Sequence, residues 1–69
     1  MNISDLIPGD VGKLVTYGSY RHVAELGRIK SWNEHYVFVV FERPGHPEID
    51  LSWQAQPCRA VDLRLVQGQ

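Results

Sequence analysis

The sequence predicts an all-β fold of short strands. Tyr36 to Phe41 is a run of six consecutive β-branched or aromatic residues, and the polar cluster before it supplies a turn, so the stretch Gly27 to Phe41 reads as a β-hairpin. Pro8-Gly9-Asp10, Gly18-Ser19 and the Pro44-Gly45-His46-Pro47 stretch cut the remainder into pieces of strand or turn length. At 69 residues the chain suits one domain, and a domain of this size buries only roughly 60% of the surface its unfolded chain exposes. Its core is therefore thin.

In chain order, Ser4 caps a single turn into Leu6 and Ile7, and Pro8-Gly9-Asp10 ends it; residues 1–10 read as a lead-in. Lys13 to Tyr17 is the first strand, with Val15 and Tyr17 turned inward. Gly18 to His22 is a loop. Val23 to Ser31 is the second strand, where Gly27 marks a bulge or a sharp bend. Tyr36 to Phe41 is the third. Loop length sets its register: a three-residue loop, Trp32-Asn33-Glu34, with Asn33 or Glu34 left-handed, places Ile29 with Val37, Val39 and Phe41 and leaves Tyr36, Phe38 and Val40 as an outward row. A two- or four-residue loop reverses the two sets. Glu42 to Asp50 is a long loop, Gln56 to Arg59 a bent edge strand at Pro57, Ala60 to Leu63 a 3₁₀ turn, Arg64 to Val66 the last strand, and residues 67–69 a frayed tail.

Composition narrows the function classes. The formal net charge of −1, with no basic block, lacks the electrostatic footprint of a nucleic-acid binder. Cys58 is the single cysteine, so it forms no intramolecular disulfide and no cysteine-based zinc site. No signal-like segment and no apolar run approaching the roughly 20 residues of a bilayer span is present, which predicts a cytoplasmic protein with no membrane partner.

Gly12, Val15-Thr16-Tyr17, Gly27-Arg28-Ile29, the Ser31-Trp32-Asn33 turn, Val37 to Phe41, and Cys58 with Val61-Asp62-Leu63 carry a resemblance. Over residues 8 to 66 the order is similar to that of Src-homology-3-like (SH3-like) small barrels, a group that includes Tudor and KOW domains. Within that group it resembles the short barrels encoded by tailed phages and prophages, whose pattern runs from a Pro-Gly-Asp lead-in to a terminal Asp-Leu. The resemblance implies a five-stranded SH3-like barrel over residues 11–66. It also implies a non-catalytic protein-interaction module of a phage or mobile element, working in the bacterial host cytoplasm, which self-associates or binds and modulates a larger host or phage protein. Fold likeness alone delivers no function.

The residues offer little catalytic chemistry. His22, His35 and His46 are spaced by 13 and 11 on three predicted loops, with no local ligand pair, and read as solvated histidines. Cys58 with a histidine and Asp62 can be drawn as nucleophile and base, but a lone cysteine in a small core is ordinarily a small hydrophobe. No cofactor and no metal is expected.

The aromatics are more informative. By likeness to Tudor domains, Tyr17, Tyr20, Trp32 and Tyr36, with Asp50 or Glu34 as charge partner, would form a cage for a methylated lysine or arginine. The competing arrangement puts Tyr17 in the core, Tyr20 in a loop and Trp53 over the open end. A protein-binding surface of Trp32, Tyr36, Phe38 and Tyr20 is preferred, because an outward row beside a tryptophan at the hairpin tip makes a patch that a monomer rarely leaves bare. The alternative is a KOW-like nucleic-acid contact through Arg28 and Lys30, joined by Lys13, Arg21 and Arg43 and offset by Glu25, Glu34 and Glu42.

Overall fold

The computed structural model describes residues 1–18 and 24–66. Two 3₁₀ turns, Ile3–Asp5 and Pro8–Asp10, precede five strands: β1 Leu14–Tyr17, β2 Glu25–Trp32, β3 Val37–Phe41, β4 Gln56–Cys58 and β5 Leu63–Leu65. A third 3₁₀ turn, Ala60–Asp62, runs directly into β5. Every pairing is antiparallel and the strand order is β4-β3-β2-β1-β5. The sheet is all-β and open: β4 and β5 are its edges and share no ladder. The loop Gly18 to His22 lies outside the described residues from Ser19 on, as does the tail 67–69.

The β2–β3 hairpin reaches the expected inner face by a different route. Trp32 pairs with Val37, which leaves a four-residue tip, Asn33 to Tyr36, in place of the three-residue loop. An unbroken ladder from that tip would set Ile29 across from Val40 and turn the wrong side chains inward. The register slips by one between Ile29 and Ser31, so Lys30 is the extra residue of a bulge and Ile29 faces Val39. No described non-glycine residue has positive φ, so neither Asn33 nor Glu34 is left-handed. The tip is instead held by Asn33: its Oδ1 accepts the N–H groups of His35 at 2.8 Å and Tyr36 at 2.7 Å, and its own N–H donates to the Tyr36 carbonyl at 2.9 Å.

Three sequence expectations are corrected here. Trp32 does not project from the tip: cross-strand partners share a face, so pairing with Val37 directs Trp32 inward, where it is half-buried against the core. Gly27 is not the bulge; it pairs in register with Val15 and with Phe41. Its lack of a side chain answers to space, because a Cβ there would lie 2.4 Å from Val39 Cγ1 and 2.9 Å from the Val40 carbonyl oxygen. Val40 is not exposed on an outward row but 1% exposed, and it lies outside the main core cluster.

That cluster is Val15, Ile29, Val37, Val39, Cys58 and Leu63, with Met1, Ile3, Leu6, Tyr17, Trp32, Phe41 and Ala60 packed against it. The segment read as a lead-in thus completes the core. Asp10, the buried charge among the described residues, anchors it: its carboxylate accepts the Ile7 N–H at 3.0 Å and pairs with Lys13 Nζ at 2.7 Å. Gly12, at φ 90°, then turns the chain into β1 and donates its N–H to the Ile29 carbonyl at 2.7 Å.

Candidate functional site

Each sheet edge is interrupted at one residue. β4 carries Pro57, which has no N–H to offer. On β5 the Leu63 N–H donates to the Ala60 carbonyl, and the Leu63 carbonyl accepts the Met1 ammonium at 3.0 Å. Three side-chain surfaces stand out among the described residues.

The first is a groove of about 680 Å³ where three segments converge: Met1 to Ile3, the hairpin residues His35 and Tyr36, and Arg59-Ala60-Val61. Each wall is fixed by backbone hydrogen bonds. The Met1 ammonium donates to Ala60 O at 3.1 Å, Asp62 N–H closes the 3₁₀ turn on Arg59 O at 3.0 Å, and Asn33 pins the hairpin tip. Over this frame stand two large apolar side chains, Tyr36 at 45% and Val61 at 71% exposure.

The second surface lies where residues 46–53 meet Gly12 and the β2 side chains Arg28 and Lys30. Lys30 Nζ donates to the Trp53 carbonyl at 3.1 Å, the Arg43 guanidinium lies 4.3 Å from the Trp53 ring centre, and His46 meets the same ring edge-on at 5.1 Å. Asp50 starts the turn that delivers Trp53: its Oδ1 accepts the Ser52 N–H at 2.8 Å, which holds its carboxyl below the ordinary value, while its carbonyl accepts the Trp53 N–H. Trp53 thus organises a loop instead of lidding an open end.

The third is a cleft of about 440 Å³ at the far end of β1, where Tyr17 and Phe41 meet edge to face at 5.8 Å beside Glu25, Glu42, Gln56 and Cys58. Burial, reinforced by the charges of Glu25 and Asp62, pushes the Cys58 thiol up to about 11. At neutral pH it is a protonated thiol, which is no nucleophile.

The predicted site residues are scattered by this arrangement. Tyr36 is in the groove, Trp32 is packed against the core from β2, and Phe38 is half-buried mid-strand on β3 opposite Ser31 and Pro57. Tyr20, with Arg21 and His22, lies outside the described residues. The aromatic cage does not assemble among the described members. Tyr17 pairs with Glu25 at the start of β2 and Trp32 ends that strand, seven residues or roughly 23 Å away.

The described cations of the nucleic-acid reading are each engaged within the chain. Arg28 donates to Gly12 O at 2.7 Å, Lys30 to Trp53 O, Lys13 pairs with Asp10, and Arg43 stacks on Trp53. No group of three or more potential metal ligands occurs among the described residues, and none of their helices is long and apolar enough to cross a membrane.

Sequence reasoning missed Val61 and Ile3 as surface members. The signal was available for Val61: one 3₁₀ turn ahead of an edge strand directs Leu63 inward and has no second buried position for Val61. Comparison with known proteins finds no matching family, no matching curated protein and no matching solved structure.

Proposed function

We propose that this chain is a non-catalytic protein-interaction module that docks its partner in the groove between Tyr36 and Val61. The observation that supports this reading is the pairing of two well-exposed apolar side chains, one aromatic, over a frame that hydrogen bonds hold in place. Aromatic side chains in preformed hollows are where binding energy concentrates, because little ordering entropy remains to be lost. Five antiparallel strands with a 3₁₀ turn before the last are in keeping with the resemblance to SH3-like domains, and that resemblance in turn implies a partner within a host or phage assembly. The nucleic-acid reading is the weaker one, since the described cations it relies on are spent on internal contacts.

Affinity capture from a bacterial lysate tests the proposal. Val61→Asp should abolish capture of the partner with little change in melting temperature, because Val61 is 71% exposed. Val11→Asp, at an exposed apolar position outside the groove, should leave capture intact. Equal capture by the wild type and by Val61→Asp would remove the groove from the site.

A further inference from the structure

Resting on the reading of this groove as a protein-docking surface, we propose that its occupant is a second copy of this chain, seated across a two-fold axis. In a two-fold interface a patch meets itself, so it must be complementary to its own rotated image. This patch is. The hairpin tip forms one wall and carries Glu34 next to His35 and Tyr36; the 59–61 turn forms another and carries Arg59 two residues from Val61. Rotation about an axis through the groove sets the tip of each protomer on the turn of the other, which brings Tyr36 onto Val61 and Glu34 onto Arg59, each contact occurring twice.

The charges are available for this. The Glu34 side chain is 85% exposed and, among the described residues, forms an ion pair only with the neighbouring His35, at 3.4 Å, while Arg59 is exposed and forms none there. Size points the same way. A stable interface needs about 800 Å² from each partner, roughly a sixth of this protein's 5142 Å² surface, more than two side chains supply, so contact extends from Tyr36 and Val61 onto the rims where those charges stand. Strand-edge pairing is interrupted at Pro57 on β4 and at the capped Leu63 on β5, which favours a side-chain interface.

Sedimentation equilibrium of the full chain from micromolar to millimolar concentration reads the association directly. The wild type should be a dimer whose melting temperature rises with concentration, and Val61→Asp a folded monomer whose melting temperature does not. Glu34→Lys and Arg59→Glu should each weaken dimerisation at least about tenfold, and the double reversal Glu34→Lys/Arg59→Glu should restore it to within a few fold of wild type. A wild type that stays monomeric overturns the dimer, as does a dimer indifferent to Val61→Asp or a double reversal no better than either single one. A monomer that still loses a captured partner on Val61→Asp overturns self-association alone, whereas indifference of both readouts to Val61→Asp overturns the docking surface as well.

Discussion

The hairpin β2–β3 and the loop 42–55 beside it are neighbours held by different means. The hairpin is a backbone ladder with fully buried Ile29, Val37 and Val39 beneath it, and its one irregularity, at Lys30, restores the register that the four-residue tip would have spoiled. The loop has no ladder of its own. It is gathered around one ring, Trp53, by a cation, an imidazole, a capping carboxylate and the Lys30 ammonium. A ladder distributes its stability over many groups and tolerates no intrusion, while a cluster around a single side chain fails when that side chain goes. Mutations in the two regions should therefore differ in kind as well as in size.

The largest effect is expected at Gly27. A methyl group there meets Val39 Cγ1, the Val40 carbonyl and Phe41 Cδ1 at 2.4, 2.9 and 3.1 Å, and one of these is backbone that cannot step aside without breaking the ladder. Gly27→Ala should cost about 3 kcal/mol, at the upper end for overpacking, read as a lowered urea midpoint. A loss below 1 kcal/mol would mean that the strands shift easily and that the hairpin is softer than its pairing indicates.

Next come Val39→Ala and Val40→Ala, which probe the two faces of one strand. Burial of 0% and 1% predicts near-equal losses of about 2 kcal/mol each, although only Val39 belongs to the main cluster. The alternation of β3 alone had predicted a marked difference between them. If Val40→Ala proves much the milder, its face of β3 is only loosely packed.

The contrast between faces shows what was legible in the residues and what was not. Five strands, the inner set of Val37 and Val39, the inward Val15 and the 3₁₀ turn before the last strand follow from β-propensity and local turn chemistry, which act over a few neighbours. The burial of Val40, on the face of β3 opposite to Val39, depends on tertiary packing, and the inward turn of Trp32 depends on where a one-residue slip falls. Neither is encoded locally. The groove was half visible: Tyr36 stood out as an aromatic at the hairpin and the exposure of Val61 could be read from its own turn, but their meeting, with Ile3 beside them, is the work of tertiary packing.

A smaller global effect with a marked local one is expected at Trp53. The ring is half-buried and stacked on by Arg43, an arrangement worth roughly 1 kcal/mol where solvent is near. Trp53→Ala should lower stability by about 1 kcal/mol, while hydrogen exchange and proteolysis accelerate across residues 42–55 and leave β1 and β2 protected. Uniform acceleration over the whole sheet would instead make the loop an integral layer of the fold.

The smallest effect concerns charge, and it separates the two regions by pH. Asp10 is held below the ordinary carboxylate value of 3.8, first by its hydrogen bond to Lys13 and then by the Ile7 N–H, and it ties the N-terminal turns to β1. A carboxyl whose native pKa is depressed binds protons more weakly folded than unfolded, so its contribution is complete above the unfolded value and is lost as pH falls through about 4 and on toward the native value. Asp50 shifts in the same direction, through Ser52, but acts on the loop. Acid titration of wild type should therefore show a fall in melting temperature below about pH 4 that becomes shallower in Asp10→Asn. Asp50→Asn should leave most of that fall in place and should instead change the acid sensitivity of Trp53 fluorescence. If Asp50→Asn flattened the melting curve as much as Asp10→Asn, the loop would be bearing on global stability as heavily as the turns that complete the core, and the division between ladder and cluster would not hold.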